Sequence, residues 1–427
     1  MRRIFSPLGL LLCAGFVLFA LAMPMRAGAA CGGINIAAQL PQAKDGQTIR
    51  TGQELAKALK TARGGETFLL ASGNYGAVRI QQTFKKPVTI RSASPQSPAC
   101  LSELRLSRAS NITFDGIVFD YTFKTGDKNH VIKFEIRNSH GITITNSVFD
   151  GAHSNGIGHG RGLFIRDSSK VTISDSTFSK WMRAITAVNC THLNIQRNQI
   201  YDIRADGMAF SGIDHMLIED NRLHNFRAST GKDHRDMIQV TRTSNKGSSD
   251  IVIRNNVFDI GAGDFTQTIF MGRSGKNTSD PLLRHRNILI ENNVIYNAHL
   301  HGISIYAVDG LSIRKNSIIR VPLRKGGSGN GKVMIPRINV NASTSVVIEQ
   351  NAVSEINGYK NQSDWVVLNN AMIQDQSPSA RGFYDREFVV YATGKADGYH
   401  EYGVRPGSEI DRLGAGSTLV KSYPSRR

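Results

Sequence analysis

A nine-residue phrase recurs along the chain, apolar at its second, fourth and ninth places and mostly Asn, Asp or Ser between them. It reads Asn111 to Phe119, Gly141 to Phe149, Lys170 to Phe178, His192 to Ile200, His215 to Leu223, Asp250 to Phe258, Asn287 to Ile295, Gly310 to Ile318 and Ser345 to Val353. The second-place residues Ile112, Ile142, Val171, Leu193, Met216, Ile251, Ile288, Leu311 and Val346 are spaced by 22 or 23 residues at the shortest and 37 at the longest. A short basal period with variable extra length is the mark of a stacked coil carrying loop insertions. Within each phrase apolar and polar residues alternate, the period of a strand with one buried face, which excludes helices there.

The period is close to that of leucine-rich repeats, but the leucine-dominated consensus those need is absent. β-Branched residues and Asn prevail, and stacked Asn side chains satisfy buried backbone groups at coil turns. The reading is an all-β chain, a right-handed parallel β-helix in which each strand pairs with its equivalent one coil on and equivalent positions form surface columns.

The two ends differ. Thr51-Gly52-Gln53-Glu54 reads as a capping box, after which Leu55, Ala58, Leu59 and Ala62 give a short helix one apolar face. Such a helix would plug the first coil, whose core and strand edge are otherwise open. We divide the chain into 31–110 (N-terminal cap and first coils), 111–356 (β-helix repeats) and 357–427 (C-terminal strands and a cap, built from Phe388 to Ala392 and Gly398 to Leu419). Before these, residues 1–30 have the layout of a secretory signal peptide: Arg2 and Arg3, an apolar stretch from Leu8 to Met23, then small residues up to Ala30. The expected location is therefore periplasmic or secreted, with no membrane span after cleavage.

Cys13 leaves with that segment, so three cysteines remain in a disulfide-permitting compartment. Cys31 and Cys100 both flank the first strands and are the expected pair. Cys190 lies within a repeat and reads as a buried thiol. No zinc-type cysteine spacing is present.

The formal charge is +18, which implies an acidic partner. With no aromatic-basic stacking motif and no nucleic-acid fold signature, an acidic polysaccharide is preferred to nucleic acid as partner. The bland alternative is a basic surface kept for solubility, and the chain is expected to be monomeric.

The capping helix, the Asn-rich repeats and the insertions together resemble the pectin-lyase-like superfamily over about residues 45 to 356. That superfamily includes polysaccharide lyases, polygalacturonase-type hydrolases and mannuronan epimerases. The resemblance implies a fold; one scaffold hosts several chemistries.

Between phrases lies a second strand. Aligning its copies puts Arg161, Arg183, Asp206, Asp236, Gln267 and His301 in one polar column. The step into Asp236 is lengthened by seven residues, within Arg227 to Arg235, and long loops beside a charged column make groove walls. Lys232-Asp233-His234-Arg235-Asp236 is the densest set of catalytic residue types. Asp206, one coil earlier, is expected beside Asp236, where two carboxylates share a proton, hold a cation such as Ca2+ or act as acid and base. No cofactor is otherwise called for, and no metal ligand set is assigned. A routine turn Asp before Gly is the bland reading of Asp206.

The candidate catalytic residues are Asp206, His234, Arg235 and Asp236, and the candidate substrate-binding residues are Arg183, Arg204, Lys232, Gln239, Arg242, Arg273 and His301. Lyase chemistry on a uronate needs its carboxylate neutralised, the ring carbon 5 proton removed and the leaving oxygen protonated. Arginines can clamp carboxylates, His234 or Lys232 can act as base, and Tyr306 or His301 as acid. Asp233-His234-Arg235-Asp236 is similar to the Asp-Pro-His-Asp signature of mannuronan epimerases, with the His displaced by one place and no Pro. Asp206-Gly207, Asp236-Met237 and His301-Gly302 are similar in register to motifs of polygalacturonase-type hydrolases. An extra coil carrying Gln267 places His301 two coils from Asp236, roughly 10 Å away. The expected function is a lyase on an acidic uronate polysaccharide. The alternatives are an inverting hydrolase or C5-epimerase on the same scaffold, or a non-catalytic polysaccharide-binding matrix protein.

Overall fold

The computed structural model describes residues 31, 34, 45–227, 233–272, 279–322, 334–394 and 399–422. The signal-peptide reading of residues 1–30 lies outside them. Parallel strands form three long sheets of 13, 12 and 11 strands, here A, B and C. A typical turn of the coil runs through Ser169–Ser174 on A, Thr177–Ser179 on B and Arg183–Val188 on C, then returns to A at Thr191–Gln196. Each strand pairs in register with its counterpart one turn on, so that Ile142, Val171 and Leu193 face one another in succession.

The phrase is explained by this path. Its first residue turns the corner in the left-handed region, at φ +55° for Asn111, +51° for Lys170 and +55° for Asp250. Asn and Asp tolerate that conformation and β-branched residues do not. Its second and fourth residues point inward on sheet A, and its ninth builds a core stack on sheet B. There the rings of Phe119, Phe149 and Phe178 lie face to face at 4.2 and 4.3 Å.

The corner between A and B is held by a ladder of buried Asn side chains, Asn198, Asn221, Asn256, Asn293, Asn316 and Asn351, each amide oxygen accepting from the preceding rung. The corner between C and A has a second ladder, in which Ser248 Oγ accepts from Ile213 N and His285 Nδ1 from Ser248 N. Burial pushes the His285 pKa down to about 4, consistent with a neutral ring that can accept this bond. Cys190 sits in the same corner with its thiol against the Val188 carbonyl, and burial pushes it up to about 11.

The helix Gly52–Thr61 is capped by Thr51, whose side chain accepts from Glu54 N, and it buries Leu55, Ala58 and Leu59. Cys31 and Cys100 form a disulfide with Cα atoms 5.7 Å apart.

Two features depart from the sequence reading. The coil extends past residue 356, because Trp365–Leu368 pairs with Val346 to Glu349 and Ala371–Met372 with Ala352 and Val353. The C-terminal segment also lies along the side of the coil: Tyr384, Phe388, Tyr402 and Ile410 cover the outward side chains of sheet B, packing with Ile260, Val294, Tyr296 and Ile319 and, on the last coil, with Ala371 and Ile373 in a second core. Tyr296 and its neighbours would otherwise leave a broad apolar face in water, which these residues bury.

Candidate functional site

Register carries the polar column from coil to coil. Arg161 faces Arg183 and Asp236 faces Gln267. Asp206 lies two residues before Met208, which faces Ile185 on one side and Ile238 on the other. Asp206 and Asp236 therefore meet at the corner leading into sheet C, where Asp206 Oδ1 accepts from Asp236 N at 3.2 Å. Gly207 permits this approach, since a Cβ there would lie 2.6 Å from the Met237 carbonyl oxygen and 2.8 Å from the Phe226 ring. Gly207→Ala is expected to cost about 1–3 kcal/mol through overpacking and to displace Asp206. Urea denaturation with a parallel activity assay checks this; an unchanged midpoint would show that the coils part freely here.

Both carboxylates are fully buried. A pair of open carboxylates working as acid and base, or trapping a cation from solvent, is therefore not what this corner holds. Each has been given a basic partner instead. Arg183 Nε lies 2.8 Å from Asp206 Oδ2, an ion pair close in distance but poorly aligned as a hydrogen bond. Burial pushes the Asp206 pKa up to about 6, against the pull of Arg183. His234 Nδ1 lies 2.8 Å from Asp236 Oδ2, and the imidazole is 51 % exposed.

The shorter contact of His234 Nδ1, to Asp236 at 2.8 Å against 3.1 Å to the Gln239 amide, favours the tautomer with its proton on Nδ1. The ring then leaves the Nε2 lone pair outward, where among the described residues the Gln267 amide approaches at 3.4 Å. Gln239 donates to Asp236 Oδ2 at 2.8 Å and holds the carboxylate from the other side. The hydrogen bond to Asp236 raises the His234 pKa above the ordinary imidazole value. The arrangement is a half-exposed imidazole oriented by a buried carboxylate, which is chemically able to take up a proton.

Ligand atoms of Asp206, His234 and Asp236 lie within 4.8 Å of one another. The donors suit Ca2+ poorly, because that ion takes six to eight oxygens and Arg183 already neutralises Asp206.

A right-handed β-helix family model matches residues 131–280. The tailspike protein of Dettilon is similar over 78 % of this chain and 63 % of its own, with 13 % identity and a TM-score of 0.51. The chain is a right-handed parallel β-helix. Also similar are the surface adhesin PfbA of Streptococcus pneumoniae (TM-score 0.48, 16 % identity, 82 % of this chain and 94 % of that one) and a PL6-family alginate lyase (0.47, 14 %, 88 % and 57 %). The chain thus spans about three fifths of the tailspike and of the lyase. No curated protein sequence matches it.

The remaining expected site residues divide. Arg204 is a wall tie rather than a carboxylate clamp: its fork is filled by Asp233, at 2.8 and 3.3 Å, and its third nitrogen donates to Asn129 at 3.2 Å. Arg235 is half-buried beside His234, and Arg242 is half-buried just past the far end of the same strand, Asp236–Thr241. Lys232 and Arg273 lie outside the described residues. His301 belongs to the column, facing Arg337, with Gln267 between it and Asp236. Its Nδ1 is 2.6 Å from Ser304 Oγ, and burial lowers its pKa. Sequence reasoning missed Phe270, which joins Tyr306 in an aromatic flank, the two rings 5.9 Å apart with Phe270 6.0 Å from His234. Their outward parity on sheet C was the available signal.

Proposed function

We propose that this protein is an exported enzyme that cleaves an acidic, uronate-containing polysaccharide by β-elimination, with His234 as the base. The carrying observation is the pair of a buried Asp236 and a half-exposed His234, whose Nε2 meets among the described residues only the Gln267 amide, at 3.4 Å. In the reaction Nε2 takes the proton from ring carbon 5 and the electron pair forms the carbon 4–carbon 5 double bond. The carbon 4–oxygen bond breaks, and the leaving oxygen takes a proton from water. Arg183, the partly exposed partner of Asp206, neutralises the reacting sugar's carboxylate and so stabilises the developing charge. The basic surplus of the chain, +18 overall, favours an acidic polymer.

The inverting-hydrolase reading fares worse, because it needs two carboxyl groups reaching substrate and water, and both are sealed beneath Arg183, His234 and Gln239. Digestion of a panel of acidic polysaccharides tests the proposal. Ultraviolet-absorbing unsaturated ends are the expected product. New reducing ends alone would mean hydrolysis, altered stereochemistry without cleavage would mean epimerisation, and binding without product would mean a non-catalytic protein.

A further inference from the structure

Arg161 stands three coils before Asp236 in the same column and takes no part in the chemistry above. Its strand neighbour is a second arginine, Arg183. Between them the two guanidinium groups have one carboxylate, Asp206, and Arg183 contacts it. Arg161 Nε is shielded from water and makes no hydrogen bond. Burial and then the Arg183 charge hold its pKa below the usual arginine range.

Two like charges one strand spacing apart, with a single counter-ion, destabilise an empty protein and favour an anion between or beside them. The Arg161 guanidinium is also held in place. It lies over the Phe164 ring, 5.4 Å from the centroid, a cation–π contact that fixes the fork before any ligand arrives. On the opposite flank of His234 the sheet face carries Gln267, Phe270 and Tyr306, and Arg337 beyond them is paired with Glu355. The unbalanced positive charge of this column therefore lies toward the N-terminal coils.

Resting on the lyase reading, we infer that Arg161 and Phe164 form a separate carboxylate subsite, so that the substrate carries uronates on neighbouring residues and lies with its acidic stretch toward the N-terminal coils. Three strand spacings of about 4.8 Å put Arg161 roughly 14 Å along the column from Asp236. A carboxylate bound there belongs to a different sugar from the one that loses its proton to His234.

The test uses oligomers of polygalacturonate and polymannuronate, from dimer to octamer, intact and methyl-esterified, with the wild type, Arg161→Gln, Arg161→Lys and Phe164→Leu. For long acidic oligomers, Arg161→Gln is expected to raise KM about tenfold with kcat within about twofold, the pattern of lost uniform binding. Dimers and esterified oligomers should be unaffected, Arg161→Lys and Phe164→Leu should show smaller rises, and melting temperatures should be no lower. A KM unchanged at every length would overturn the subsite while leaving the base assignment standing. If the wild type yields no unsaturated ends, the lyase reading fails, and calorimetric binding of the same oligomers decides the subsite. Weaker binding by Arg161→Gln keeps it, and equal binding removes it.

Discussion

Replacing His234 with Ala is expected to lower kcat on a cleavable uronan by about three orders of magnitude, within the ~10²–10⁴ that a positioned general base supplies, with little change in KM. The side chain is half exposed and packs edge-on to Phe270, so its removal leaves the coil intact, and far-ultraviolet circular dichroism should not change. Asp236→Asn is expected to cost about a hundredfold and, unlike the alanine variant, to move the pH profile. The sign follows from the role. A base acts only when unprotonated, so activity climbs with pH through the His234 titration. Asp236 raises that titration above the ordinary imidazole value. Removing the charge moves the acid limb of the kcat profile to lower pH even as the plateau falls. Wild-type turnover in His234→Ala would remove the base; an unmoved limb in Asp236→Asn would remove the coupling.

How far this site was legible depended on distance from the repeat. The column was readable because the phrases are in register: once Ile185, Met208 and Ile238 are aligned, the residues just before them must stack. The burial of Asp206 and Asp236 was not readable. Asp206 precedes its strand and Asp236 opens the strand Asp236–Thr241, at a corner where the turn decides whether a side chain enters the core. Nor did spacing reveal that Arg204 would be consumed by Asp233, 29 residues on, since neither lies in a strand. The phrase also hid two of its own copies. Val88 and Ile90 face Ile112 and Phe114, and Trp365 and Val367 face Val346 and Ile348, but Pro87 and Met372 depart from the Asn-rich, β-branched idiom. That the C-terminal segment packs along sheet B was not readable, because its partners there are outward residues that carry no periodic signal of their own.

The Asn ladder supplies the largest expected effect on stability. Asn293 Nδ2 donates to the Ile253 carbonyl and to Asn316 Oδ1, both at 2.9 Å, and its Oδ1 accepts from Asn256 N and Nδ2, both at 3.0 Å. Asn293→Ala leaves the Ile253 carbonyl and the Asn256 amide buried without partners, at ~1–3 kcal/mol each, and opens a small void. The expected loss is about 3–5 kcal/mol in urea denaturation. The protein contains its own control for the mechanism. At the same corner in earlier coils the rung is Ser, with Ser147 Oγ accepting from Ile117 N and Ser176 Oγ from Ser147 N, both at 3.1 Å. Asn293→Ser should therefore restore the bond to Asn256 N and about half of the loss. Position along the coil should matter as well. Asn370, the last rung and only half-buried, donates to Ile348 O at 2.8 Å and accepts from Asn351 N at 2.9 Å with no coil beyond it, so water can take over its bonds and Asn370→Ala should cost about 1 kcal/mol. Because a solenoid is stabilised chiefly by contacts between adjacent coils, a defect at Asn293 weakens the coupling between its two halves. The Asn293→Ala transition should broaden as well as shift. Equal losses at Asn293 and Asn370, or no recovery with Ser, would place the stability of this corner in packing rather than in its hydrogen bonds.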